Sequence, residues 1–324
     1  MPGSKVIPSW IHFILLTLLL VWGVRIKDWF LDANRDYKSQ VPNSAKTLLL
    51  GDSHTVKLMD PSAWENAVNL GMSGEFIYYS YYKLNRLLKD GCRPHSVIIS
   101  LSYHSLATFP YFGGAEMNKR YHLLVDRRFY HRKFRYEDLH QSTLARYLGN
   151  AIGFPILVGQ DIAEYYKLRN DSGTAGWMGA YEPATGSRIG KRRSLKAVLR
   201  RHFSKFGLPT GLSQAKLEYL NDLARLCQIH GIELWLVNTP VHPDYYKGIP
   251  ASFIKATDHA ASSLGQYDAH YLNLSTEPYK DEEFYDYDHL NAEGSERFSK
   301  KLAQLTGGQQ PGELGTTKTN NTLK

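Results

Sequence analysis

Residues Leu48-Leu49-Leu50-Gly51-Asp52-Ser53-His54 decide how the chain is read. An apolar run this short, closed by a glycine, predicts a buried strand of a parallel sheet rather than a helix. A glycine at the strand end lets the backbone bend sharply and leaves room for a ligand. Ser53 then falls at the carboxyl end of the first strand, where open α/β sheets place their ligand sites. A serine hydroxyl is a poor nucleophile without a base in hydrogen-bond reach. Gly-Asp-Ser alone reads equally well as a strand-end turn whose Asp52 or Ser53 caps a helix.

Outward from this stretch, apolar runs alternate with helical patterns, the signature of a parallel-sheet α/β domain. Strands are expected at Thr47–Leu50, Ala67–Leu70, Ser96–Leu101, Glu233–Asn238 and Tyr271–Leu274, and helices at Glu75–Lys89, Ser213–His230, Ile249–Leu264 and Ala292–Leu305. Ser213 is placed to cap its helix, whose apolar face gathers Leu217, Leu220, Leu223, Ala224 and Cys227. Residues 110–212 break the rhythm and read as one insertion, partly helical, over or beside the active face. Residues 115–212 hold 18 Lys/Arg against 8 Asp/Glu, so the formal charge of +8 belongs to this segment.

Composition narrows the class. At 324 residues, 43% hydrophobic and 22% charged, the chain is neither disordered, collagenous nor a polytopic membrane protein. Two cysteines, Cys92 and Cys227, make neither a disulfide framework nor a four-thiolate zinc site, and read as small buried residues. Ile7 to Val24 carries no charge and has Trp10 and Trp22 near its ends; with no small-residue cleavage site after it, residues 1–25 read as an uncleaved single-pass anchor. Residues 26–44 follow as a connector, 45–305 as the folded domain, and 306–324 as a polar, disordered tail.

A second motif stands near the other end: Asp286-Tyr287-Asp288-His289-Leu290-Asn291-Ala292-Glu293-Gly294, just before a helix. At a spacing of three, Asp286 can fold back to the His289 imidazole and fix its tautomer, as a catalytic triad requires. Asp288 competes for the same role, though its adjacency to His289 is sterically less suitable.

Together the two blocks resemble the SGNH, or GDSL-like, hydrolase superfamily, over roughly residues 45–305 apart from the insertion. The resemblance implies an α/β fold, a flavodoxin-like three-layer sandwich around a central parallel sheet. It also implies catalysis by Ser53 as nucleophile, His289 as general base and Asp286 as its orienting partner. Oxyanion donors would be Ser53 and, in Asn69-Leu70-Gly71-Met72-Ser73-Gly74, Gly71 with Ser73 and Gly74 as further candidates. The chain departs from the family after the third strand, where Gly-x-Asn-Asp is replaced by Ser100-Leu101-Ser102-Tyr103-His104-Ser105. A third donor then has to come from Ser102, Tyr103, His104 or the backbone.

That departure, the anchor and Val237-Asn238-Thr239-Pro240-Val241-His242-Pro243 resemble a branch of envelope acyl-transfer proteins, those of teichoic acid D-alanylation and alginate O-acetylation. Asp52, His54, Tyr103, His104, Asn238 and His242 stand as substrate-binding candidates. The branch implies a periplasmic or extracellular domain that passes an acyl group, with O-acetylation favoured, to a polysaccharide or other envelope glycan. It also implies a membrane-embedded acyl-donor partner of the MBOAT kind. An esterase of the same fold shares the constellation and differs only in using water as acceptor. A glycan-binding or scaffold subunit of an export complex would keep the fold with reduced chemistry.

Arg127-Arg128, His131-Arg132-Lys133, Lys191-Arg192-Arg193 and Arg200-Arg201-His202, with Phe129, Tyr130, Phe134 and Tyr136 between them, form a basic, aromatic surface. Behind an anchor such a surface suits anionic glycan or lipid headgroups rather than nucleic acid, and equally a solvated helix face. No cofactor is expected: nucleotide loops of the Gly-x-Gly-x-x-Gly and Gly-x-x-x-x-Gly-Lys-Ser/Thr types are missing. No metal is expected either, since His242 with Asp244 and His259 with Asp258 match no ligand spacing.

Overall fold

The computed structural model describes residues 41–108, 179–189, 195–205 and 208–307, together with Ile11. The expected anchor, most of the connector and insertion, and nearly all of the tail lie outside the described residues. Among the described residues no helix is long and apolar enough to cross a membrane.

Five strands form one sheet: β1 (Thr47–Leu50), β2 (Ala67–Asn69), β3 (Ser96–Ser100), β4 (Glu233–Asn238) and β5 (His270–Asn273). All pairings are parallel, in the order β2-β1-β3-β4-β5. This is the doubly wound arrangement, whose switch point lies between β1 and β3. The strands fall where the apolar runs placed them, with ends shifted by one residue.

Alternation along the strands divides the core in two. Leu48 and Leu50, with Val97, Ile99, Leu234 and Leu236, face α2 (Ile77–Lys89) and α4 (Gln214–Ile229). Leu49, Ile98 and Val237 face the other way, toward Leu58 of α1 (Ser53–Leu58) and Phe298 and Leu302 of α7 (Ala292–Leu305). Leu48, Leu49 and Leu50 are completely buried, which is why β1 shows no polar alternation. Ser213 caps α4 by accepting from the Lys216 N–H, and Cys92 and Cys227 are buried free thiols.

Three helices were not visible in the sequence pattern: α1, α3 (Leu195–Phe203) and α5 (Pro243–Gly248). The first and last have six residues each, too short for periodicity to register. Between α5 and β5 runs α6 (Ala251–Ser263).

The turn between β2 and α2 is pinned from beneath. The Lys83 ammonium, on α2, donates to the Leu70 carbonyl (2.6 Å) and to the Glu75 carboxylate, which also accepts from Ser80 Oγ (2.9 Å). Both charged side chains are fully buried. Burial lowers the affinity of Lys83 for its proton, opposed by Glu75. Breaking such a pair strands a buried charge, whereas replacing both members need not. Lys83→Met is therefore expected to destabilise the domain by about 3–5 kcal/mol. Lys83→Met combined with Glu75→Leu should recover much of that loss, both read from urea denaturation midpoints.

Candidate active site

The Ser53 end of the site is set by Gly51, whose φ of +127° is open to glycine and strained for other residues. A Cβ here would also run into the Ser100 and Thr55 hydroxyls. The turn makes Asp52 the cap of α1, accepting the His54 N–H at 3.0 Å. Capping and the placement of Ser53 thus coincide, because the cap residue directly precedes Ser53, the first residue of the helix. Asp52 is held further by Ser100 Oγ (3.1 Å), Ser105 Oγ (3.4 Å) and His104 Nε2 (3.3 Å). Burial acts to raise its pKa, but the His104 hydrogen bond and the charges of His54 and His104 outweigh it and hold the carboxyl below the usual range.

The His289 end is a tight loop ahead of α7. Asn291 caps α7 by accepting the Gly294 N–H (3.1 Å), and its side-chain amide donates to the Glu282 carbonyl. Tyr285 N–H bonds the His289 carbonyl at 2.9 Å, closing the loop and turning Asp286 beneath the imidazole. Asp286 Oδ1 lies 2.8 Å from His289 Nδ1, and His289 Nε2 lies 2.8 Å from Ser53 Oγ. Asp288 is 3.6 Å from the same Nδ1, outside hydrogen-bond distance. Ser53, Asp286 and His289, 236 residues apart at the extremes, are therefore brought into one hydrogen-bonded relay.

The two aspartates diverge electrostatically. Burial opposes ionisation of Asp286, but the charge and hydrogen bond of His289 and the Asp288 N–H keep its pKa low. Burial, reinforced by Asp286, pushes Asp288 up instead. For His289 burial favours the neutral ring, while Asp288 and Asp286 act more strongly together and raise its pKa.

A cavity of about 550 Å³ opens over the relay, lined by Asp52, Ser53, Ser73, Gly74, Phe76, His104, Ser105, Tyr285, Tyr287 and His289, with Lys57, Arg188 and Arg201 also on its wall. Such a volume is in the range of small-ligand sites. Of the oxyanion candidates, Ser53, Ser73 and Gly74 line it. Gly71 does not: its N–H is committed to Asn69 Oδ1 at 2.9 Å, and its Cα packs against Thr55 too closely for a side chain. Ser102 also lies off the cavity, its buried hydroxyl without a hydrogen bond among the described residues.

The other candidates separate in the same way. His104 lines the cavity; His54 is wholly buried behind it, with Nδ1 2.6 Å from Thr239 Oγ1. Tyr103 turns away to accept from Asn273 Nδ2 (2.9 Å). Asn238 is sealed at the end of β4, and His242 caps α5 by accepting the Asp244 N–H (3.2 Å). None of these three lines the cavity.

Sequence reasoning missed His202. It is buried, stacks on His104 with ring centres 4.3 Å apart, bonds Tyr245 through Nδ1 (2.5 Å) and places Nε2 3.7 Å from Asp288. Burial, with His104 and Arg201 nearby, keeps it readily neutral. The available signal was helical spacing: His202 follows Val198 by four, on the buried face of α3. Of the basic clusters, Arg201 and His202 reach the site; residues 127–136 and 191–193 lie outside the described residues.

No family model matches the chain, and no curated protein matches it. Among solved structures it is similar to a GDSL-like lipase from Bacteroides thetaiotaomicron, at 9% identity and a TM-score of 0.37, covering 86% of this chain and 96% of that one. It is also similar to a lipase/acylhydrolase from Enterococcus faecalis, at 12% identity and a TM-score of 0.36, covering 81% of this chain and 96% of that one. Likeness at this level carries nothing about the chemistry, which rests on the side chains themselves.

The arrangement has a direct test. His289 is expected to titrate above the ordinary imidazole value of 6.5, because its two aspartates favour the charged ring. Asp286→Asn should lower that pKa, since the nearer carboxylate is lost; side-chain NMR of the His289 resonances against pH reads both.

Proposed function

We propose that the chain is a serine acyl-transfer enzyme that takes an acyl group from an ester or thioester onto Ser53 and passes it to a hydroxyl of a glycan. The observation that carries this reading is the continuous relay from Ser53 Oγ to His289 to Asp286, both links at 2.8 Å, opening on a cavity. A scaffold subunit has no need of a nucleophile, base and orienting carboxylate in register.

In the proposed mechanism Ser53 Oγ attacks the acyl carbonyl carbon as its proton passes to His289 Nε2. Asp286 holds the Nδ1–H and stabilises the imidazolium. The oxyanion is met by the backbone N–H of Ser53 and the Ser73–Gly74 turn, groups that share the cavity. Collapse expels the leaving alkoxide or thiolate, which takes the proton from His289. An acceptor hydroxyl then gives its proton to the same nitrogen and attacks the acyl-serine; the bond to Ser53 Oγ breaks, Oγ takes the proton back from His289, and the ester stands on the acceptor.

Several features favour a glycan acceptor. Phe76, Tyr285 and Tyr287 line the cavity with aromatic surface on which a sugar ring can lie, and Lys57, Arg188 and Arg201 surround them. With the apolar stretch 7–24 as anchor, the reading extends to O-acetylation of an envelope polysaccharide outside the cytoplasm, with a membrane-embedded protein as acyl donor.

Intact-mass spectrometry of the full chain after exposure to an activated acetyl ester tests the proposal. One acetyl adduct is expected, absent in Ser53→Ala and discharged faster by an oligosaccharide than by water. Turnover in Ser53→Ala should fall by at least about 10³-fold. Discharge by water alone would make the protein an esterase, and an adduct independent of Ser53 would remove the acyl-serine altogether.

A further inference from the structure

The wall behind Ser53 holds more ligand chemistry than the relay uses. Asp52, His54 and His104 each offer one ligand atom, and these atoms lie within 4.8 Å of one another. No motif announces this set, because two members flank Ser53 and the third follows β3.

His54 is the informative member. Its ring is completely buried, and Nε2 has no hydrogen-bond partner among the described residues. Leaving a polar ring nitrogen buried and unpaired is unfavourable, and such atoms are rare in folded proteins. The other nitrogen, Nδ1, is 2.6 Å from Thr239 Oγ1. If Nδ1–H donates to that hydroxyl, the Nε2 lone pair is presented inward. A hydrogen bond from the second ring nitrogen is the usual support of a metal-binding imidazole.

The remaining donors have suitable spacing. Asp52 Oδ2 and His104 Nε2 are 3.3 Å apart. That matches the edge of a tetrahedron around zinc, about 3.3–3.4 Å for bonds of about 2.0–2.1 Å. Asp52 Oδ1 is occupied by the His54 N–H and Ser100 Oγ, which aims the carboxylate and leaves Oδ2 toward His104. Asp52 and His104 line the cavity, so an ion has a route in from solvent, with His54 as the deep ligand.

We propose that Asp52, His54 and His104 form a binding site for one divalent transition-metal ion of the zinc class, beside Ser53 and with an open position toward the cavity. The His54 and His289 rings are 4.7 Å apart, so a bound ion adds positive charge next to the base. It also converts His104 from a hydrogen-bond donor into a ligand. Occupancy therefore inhibits acyl transfer reversibly, a metal brake on the site. Metal binding itself does not depend on the acyl-transfer reading, because it is measured with Ser53 removed.

The test uses the full chain carrying Ser53→Ala, titrated with Zn²⁺ by calorimetry and with Co²⁺ by visible absorption, which reports low coordination number. One tight site per chain is expected, with an intense Co²⁺ band. It should weaken about 10–100-fold in Thr239→Val, the support variant. Loss should be greater in His54→Ala and in His104→Gln, each checked for folding by circular dichroism, and binding should persist in His289→Ala. Tight binding that survives both His54→Ala and His104→Gln, or that vanishes in His289→Ala alone, places the ion elsewhere and overturns the proposal. So does the absence of tight binding in the Ser53→Ala chain.

Discussion

At Gly51 the chain leaves β1 so close to β3 that the Ser100 and Thr55 hydroxyls fill the space of a Cβ. The rest of the site depends on this close approach. It turns the backbone sharply enough for Asp52 to cap α1 and for Ser53 to begin it. It also brings Ser100 and His104, from β3 and the segment after it, within reach of the Asp52 carboxylate. The buried strand supplies the rigidity: Leu48 to Leu50 are packed on both faces, so the turn at their end has little freedom to relax.

The strands of the sheet follow from features that a single sequence displays. Apolar runs of four to six residues between helical stretches place all five strands within a residue of their ends. The relay was legible because its members sit in compact motifs with strong local logic, a strand-glycine turn and an Asp-x-x-His loop before a cap. Contributions to the cavity from elsewhere were not. Gly71 read as an oxyanion donor because position alone cannot show that Asn69 captures its N–H. His242 looked like a site residue for its chemistry, yet helix capping used that chemistry first. His202 escaped because it stands in a run of basic residues, with only its spacing from Val198 to mark it as buried, and its partner, His104, is nearly a hundred residues away.

Two aspartates on either side of one tyrosine illustrate how burial sorts equivalent side chains. Asp286 receives the His289 Nδ1–H and the Asp288 N–H, so its ionised form is compensated. Asp288 is almost wholly buried, with Oδ1 lacking a hydrogen bond among the described residues, and its charged form is penalised. Ionisation is therefore favoured at Asp286, beneath the imidazole, and resisted at Asp288.

His202 extends this logic to the insertion. Its Nε2 faces the Asp288 carboxyl at 3.7 Å and also receives Arg201 at 3.1 Å, while its ring covers His104. Burial favours the neutral imidazole here, so His202 closes the wall without adding a positive charge. Removing α3 would expose Asp288 to water, favour its ionisation and leave His104 without its stacking partner. Helix α3 is thus structurally part of the site, through a His202 ring that stacks on His104 and faces the Asp288 carboxyl.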